Sequence, residues 1–164
     1  MRYVDDLKFI AHRAVIDGDY TNANKPETAK NLLEMHPEYE YEIDVWYVDG
    51  GYWLGHDEPQ YEVFPEDYDI LDNIKSWKHA KNIDALVEMN NNFSGNILWH
   101  ESDSVVYTNS GYLWVHADTE PFQCSSAIFV RPELKFGVDK ALLSFNFAGI
   151  CSPVIQYWKE ELQQ

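Results

Sequence analysis

A change of hydrophobic period within the first third of the chain does most to limit its possible folds. Lys8-Phe9-Ile10-Ala11 is a short apolar run of the kind that forms a buried strand, and it ends in His12-Arg13. Turn-forming residues from Asp17 to Asn22 separate it from residues 26–35, where Pro26 near the first turn opens a helix. Residues 41–48 then alternate as a strand, Asp49-Gly50-Gly51 is a tight-turn signal, and residues 52–57 run back. That connection is too short for a crossover helix, so the two strands are expected to be antiparallel.

Further along, residues 70–74 and 83–89 read as helical, with a short strand from Trp77 to Lys81 between them. Residues 96–100 and 112–116 read as strands around an Asn109-Ser110-Gly111 turn, and residues 127–130 as another. A last pair, 140–143 and 147–150, precedes a tail. Strand and helix alternate, so α/β is the economical class, with one domain over residues 1–164. A complete eight-stranded β/α barrel takes about 250 residues. Any barrel in this chain must therefore be trimmed, with helices shortened or missing.

Composition narrows the partners. Against 12 basic residues stand 28 acidic ones, a net charge of −16 that repels nucleic acid and anionic lipid. No apolar run approaches the ~20 residues of a membrane span, and residues 1–6 do not read as a signal peptide. Cys124 and Cys151 are too few for a disulfide scaffold. The expectation is a cytoplasmic protein acting on a small molecule, with no nucleic-acid partner and no membrane span.

Four polar pairs sit where an α/β sheet gathers functional groups, at the carboxyl ends of strands. His12 and Arg13 end the first strand, and His56 and Asp57 the third. Glu42 and Asp44, two apart, share one face of the second, and His79 and Lys81 repeat that spacing on the fourth. Two carboxylates on one face repel unless a cation lies between them, and an oxygen-ligand ion such as Mg²⁺ or Ca²⁺ resolves the conflict. Two histidines can take and give a proton, Arg13 offers a bidentate fork to phosphoryl oxygens, and Lys81 adds a point charge. Together these groups describe a metal-assisted phosphodiester site. Taken alone, Glu42 and Asp44 are also what the solvent face of a half-buried strand looks like. His36, His100 and His116 lack such partners, although His100, beside Glu101, is placed to line a pocket.

The order His12-Arg13, Glu42-Ile43-Asp44-Val45, Asp49-Gly50 and His56-Asp57 resembles the glycerophosphodiester phosphodiesterase family, whose pattern is His-Arg-Gly, Glu-x-Asp-Val, Asp-Gly and His-Asp. The match is specific over residues 9–57 and thins afterwards. His79-Ala80-Lys81 falls where the family has Glu-x-Lys, and Gly149-Ile150-Cys151-Ser152 resembles its late Gly-x-x-(Ser/Thr)-Asp segment. The resemblance implies a trimmed TIM-type (β/α) barrel of the phospholipase C-like phosphodiesterase kind. It further implies His12 and His56 as general acid and base, Arg13 and Lys81 on the substrate phosphate, and Glu42, Asp44 and His79 around one divalent cation. The substrate class it implies is a small glycerol-type phosphodiester.

The departures are specific. Ala14 replaces the family's glycine, Pro153 stands where an acidic residue is usual, and the chain is short. His79 stands in for a carboxylate ligand, which softens the site towards Mn²⁺ or Zn²⁺. These changes keep open a second class, a barrel that has lost turnover and serves as a phosphoester-binding or regulatory module. A third, a phospholipid lyase related to spider-venom sphingomyelinase D, calls for a disulfide-braced loop and a secretion signal, and the sequence shows neither.

Overall fold

The computed structural model describes residues 4–164. In chain order the elements are β1 (Lys8–Ala11), α1 (Pro26–Met35), β2 (Glu40–Val48), β3 (Gly51–Leu54), β4 (Tyr61–Val63), β5 (Ser76–Ala80) and α2 (Ile83–Asn92). There follow β6 (Asn96–Leu98), β7 (Val105–Tyr107), β8 (Leu113–Val115), β9 (Ala127–Val130), α3 (Glu133–Phe136), β10 (Gly149–Ser152) and α4 (Ile155–Gln163). All ten strands belong to one sheet. Its parallel part runs β6-β5-β2-β1-β10-β9-β8. β3 pairs antiparallel with the far half of β2, β4 with β3, and β7 with β8.

The sheet curls, but it is not a TIM-type barrel. No strand ladder joins β6 to β8, so the ring stays open, and regular β/α alternation stops after α2. Loops and a hairpin connect β6 through β9 instead. Lacking a helix for each strand, that half cannot cover its outer face as a barrel would. Asn109 clips the open seam: its backbone N–H donates to the Ile97 carbonyl (3.0 Å), and its Oδ1 accepts from the Ile97 N–H (2.7 Å). One asparagine thus takes the place of a strand pair.

Several local expectations shift. Residues 65–70 form a 3-10 turn ahead of the stretch read as helical, and 140–144 form another where a strand was expected. The Asn109-Ser110-Gly111 turn joins β7, not β6, to β8. The expected tail carries α4, whose Ile155, Trp158 and Leu162 are buried at helical spacing. The hairpin at 48–51 is as expected, with Asp49 and Gly50 both at positive φ (52° and 78°), the geometry that favours Asp-Gly.

Strand alternation divides the core. On the convex face Tyr41, Ile43, Ile97, Phe129 and Ile150 pack with residues from α1, α2 and α4. On the concave face Ile10, Trp77, Leu98, Trp114, Ile128 and Cys151 fill the hollow of the curl. Trp77 stacks on Trp114 across the seam, with ring centroids 5.6 Å apart. At the amino end of the hollow Glu40 pairs with Lys8 (2.7 Å) and accepts from Trp77 Nε1 (2.6 Å). This apolar plug makes the hollow solid below, so an opening remains only at the carboxyl ends of the strands.

Candidate metal centre

Above the plug lies a cleft of about 360 Å³, lined by side chains from the ends of β1, β2, β5, β6, β8 and β9. Because β2 alternates, Glu40, Glu42 and Asp44 all point into the hollow, and the last two reach the cleft floor. Glu42 and Asp44 are buried, 2% and 1% exposed. Together with His79 they offer ligand atoms that all lie within 4.8 Å of one another.

Each member of this cluster is held by its surroundings. Asn24, itself buried, donates from Nδ2 to Asp44 Oδ2 (2.8 Å) and accepts the Asp44 N–H at Oδ1 (3.0 Å). The Glu42 carboxylate accepts the Arg13 backbone N–H at 2.9 Å. Arg13 and Ala14 sit at φ 54° and 60°, left-handed values that turn the chain just after β1 and aim that N–H inward. His79 Nε2 lies 2.7 Å from the His100 carbonyl. A carbonyl can only accept, so Nε2 carries the hydrogen. Nδ1 faces Asp44 Oδ1 at 3.2 Å and donates to it while it carries a hydrogen, a position that a bound cation would take instead. A second N–H bond to a backbone carbonyl is how metal-ligating histidines are commonly oriented.

Electrostatics separates the two carboxyls. Burial pushes Glu42 up to about 8, and the neighbouring charge of Asp44 pushes the same way. Burial also opposes ionisation of Asp44, but hydrogen bonds from His79 and Asn24 and the charge of Lys81 outweigh it and hold that carboxyl below the usual range. Arg13 Nε (3.5 Å) and Lys81 Nζ (3.8 Å) approach the same carboxylate. Crowded, dehydrated carboxylates beside a tautomer-fixed imidazole form a donor set that suits a divalent cation, Mg²⁺ or Ca²⁺ by its oxygens and Mn²⁺ or Zn²⁺ by its nitrogen.

His12 and His56 both line the cleft. His12 is buried, with Nδ1 3.0 Å from Tyr20 Oη and Nε2 3.9 Å from Glu42. Burial, aided by the Arg13 charge, lowers its pKa to about 3, so it is neutral. His56 is open to water, 45% exposed, with Nδ1 2.7 Å from Asp57.

Every residue singled out in the sequence for this site, His12, Arg13, Glu42, Asp44, His56, His79 and Lys81, borders the one cleft. Of the other lining residues, His100 was expected at a pocket and lies there, while the rest carried no readable signal. Arg131 follows an apolar strand with no motif around it. His100 and His116 stack at 5.2 Å where the seam opens. Tyr20, which lies outside that lining, belongs to the turn-rich segment after β1 and meets His12 Nδ1 at 3.0 Å. No helix among the described residues is long and apolar enough to cross a membrane. No protein-family model matches the chain, and neither a curated protein nor a solved structure matches it.

Proposed function

We propose that the protein hydrolyses a small phosphodiester with one divalent cation held by Glu42, Asp44 and His79. The observation that carries this reading is the convergence of those three ligands, from two neighbouring strands, beside Arg13 and Lys81 and under two histidines. When bound, the cation supplies positive charge against the nonbridging phosphoryl oxygens. Arg13 and Lys81 hold those oxygens and oppose the charge that grows on them. The burial of His12 and the openness of His56 support different parts for the two histidines. Neutral His12, with its Nδ1 hydrogen given to Tyr20 Oη, presents the Nε2 lone pair and takes a proton from the attacking water. His56, oriented by Asp57 at the open rim, gives a proton to the departing alkoxide. Water oxygen bonds to phosphorus as the phosphorus–alkoxide bond breaks, and the proton count balances across the pair. The motif resemblance over residues 9–57 favours a glycerol-type diester.

The test is turnover of bis(4-nitrophenyl) phosphate with and without Mg²⁺ or Mn²⁺. The expected result is cation-dependent release of nitrophenolate, abolished by chelation and lowered about 10²-fold or more by His12→Ala, while His56→Ala lowers turnover by as much on a dialkyl phosphodiester, whose departing alkoxide needs a proton. Full activity of His12→Ala on either diester, or of His56→Ala on the dialkyl diester, rejects the paired assignment. Tight cation binding without turnover favours the binding-module reading instead.

A further inference from the structure

Three basic side chains line the cleft, and one of them has no counterpart. Arg13 and Lys81 both lean on Asp44. The Nε atoms of Arg13 and Arg131 are both buried without a hydrogen-bond partner, but Arg13 Nε faces Asp44 at 3.5 Å, whereas Arg131, at the end of β9, is in no ion pair among the described residues. An unsatisfied buried donor on a charged group is costly, and native structures retain few of them. Its backbone is committed: Arg131 sits at φ 48°, and its N–H donates to the Cys151 carbonyl at 2.7 Å. The turn therefore presents the side chain to the cleft rather than to solvent.

Position separates Arg131 from the other two. β9 and β5 are separated by β2, β1 and β10 in the sheet order, and the sheet curls. Arg131 therefore rises from the wall opposite Lys81, with His12 between them. Its charge contributes to the depression of His12. Charge balance points the same way. Glu42 and Asp44 match a divalent cation, and of the remaining charged lining residues Arg13, Lys81 and Arg131 outnumber Glu101, facing a phosphodiester that carries a single negative charge. In a chain of net charge −16, such a local excess of cations selects anions that the rest of the surface repels.

We infer that Arg131 binds a second anionic group of the substrate, so that the natural ligand is a phosphodiester bearing a further carboxylate or phosphate on the β9 side of the reacting phosphorus. This rests on the phosphodiesterase reading and narrows its substrate class.

Two chromogenic diesters of similar size test it: ethyl 4-nitrophenyl phosphate and carboxymethyl 4-nitrophenyl phosphate, which adds one carboxylate. The wild-type protein is expected to prefer the carboxymethyl compound at least tenfold in kcat/KM, mainly through KM, as one charge-assisted hydrogen bond provides. Arg131→Met should bring that ratio close to one, and Arg131→Lys should restore part of it. A ratio near one in the wild type, or a ratio unchanged in Arg131→Met, overturns the inference while leaving the phosphodiesterase reading intact. Failure of the wild type to turn over either compound rejects that reading. Titration of the same compounds, followed by the fluorescence of cleft residues Trp99 and Trp114, then decides the question, and equal affinities overturn the role of Arg131.

Discussion

Lys78 and His79 are neighbours on β5, both withdrawn from water, and the sheet sends them to opposite faces with opposite consequences. On the convex face Lys78 is fully buried, and its ammonium donates to Ser76 Oγ and to the Ser94 carbonyl, both at 2.6 Å. Among the described residues no carboxylate lies within ion-pair distance of it, and burial lowers its pKa to about 7. On the concave face His79 joins Glu42 and Asp44 in a cluster of ionisable groups whose ligand atoms all lie within 4.8 Å of one another. The convex charge is eased by a lowered pKa, so that its proton is given up as pH rises past about 7. The concave cluster is settled by an added positive charge. Burial of an ionisable side chain therefore does not mark a site; convergence of several does.

The sharpest way to break this comparison is to add the cation. At a hundredfold excess over its dissociation constant, a ligand specific for the folded state contributes about 2.7 kcal/mol, which for a chain of this length raises Tm by about 5–10 °C. The expected gain appears with Mg²⁺ or Mn²⁺ in thermal melts, is reversed by chelation, and is lost in Asp44→Asn and Glu42→Gln. It should also grow with pH. Glu42 titrates near 8 when folded against an ordinary 4.5, so its stabilising contribution without cation is complete below the unfolded value and is lost as pH rises through 8. A cation offsets that loss and displaces the Glu42 proton. A Tm that is indifferent to the ion at pH 8 removes the concave half of the contrast.

The two faces also differ in how far the sequence discloses them. β1, α1, β2 and β3 were legible because each has its own local signal: an apolar run, a proline-led helix, alternation and an Asp-Gly turn. Spacings of two on β2 and on β5–Lys81 disclosed a shared face within each strand, and the motif resemblance, not the spacing, joined the two into one expected cluster. Closure of the sheet was not legible. Whether β6 meets β8 depends on a contact between residues far apart, and here Asn109 and the Trp77–Trp114 stack fill that gap without a ladder. Arg131 was hidden for a similar reason, since only the curl brings the end of β9 opposite β5. Lys78 was hidden within its own strand, where alternation left both of its neighbours more conspicuous.

Lys78→Met isolates the convex face. The folded value near 7 lies below the ordinary 10.5, so between them the unfolded chain binds a proton that the fold does not, and stability rises with pH. Relative to Lys78→Met, the wild type should gain about 2 kcal/mol between pH 7 and 9 in urea unfolding, at up to about 1.4 kcal/mol per pH unit. The cation-induced rise in Tm should persist in this variant. Parallel pH profiles for the two proteins contradict the lowered pKa of this buried lysine.

The smallest effect concerns the turn that links the faces. Ala14 occupies a left-handed conformation at φ 60° yet is buried among the convex-face apolar residues. Glycine there removes strain of about 1–2 kcal/mol. It also gives up a buried methyl worth about 0.8 kcal/mol and adds unfolded-chain freedom worth about 0.5–1 kcal/mol. Ala14→Gly is therefore expected to leave stability within about 0.5 kcal/mol of wild type, although the resembling family carries glycine at this point. Valine has no such compensation: its branched side chain resists positive φ and overfills the packing, so Ala14→Val should cost about 2 kcal/mol. Because the same turn directs the Arg13 N–H to Glu42, Ala14→Val should also shrink the cation-induced rise in Tm, whereas Lys78→Met does not. An undiminished cation effect in Ala14→Val would mean that the cluster holds its geometry without the strained turn.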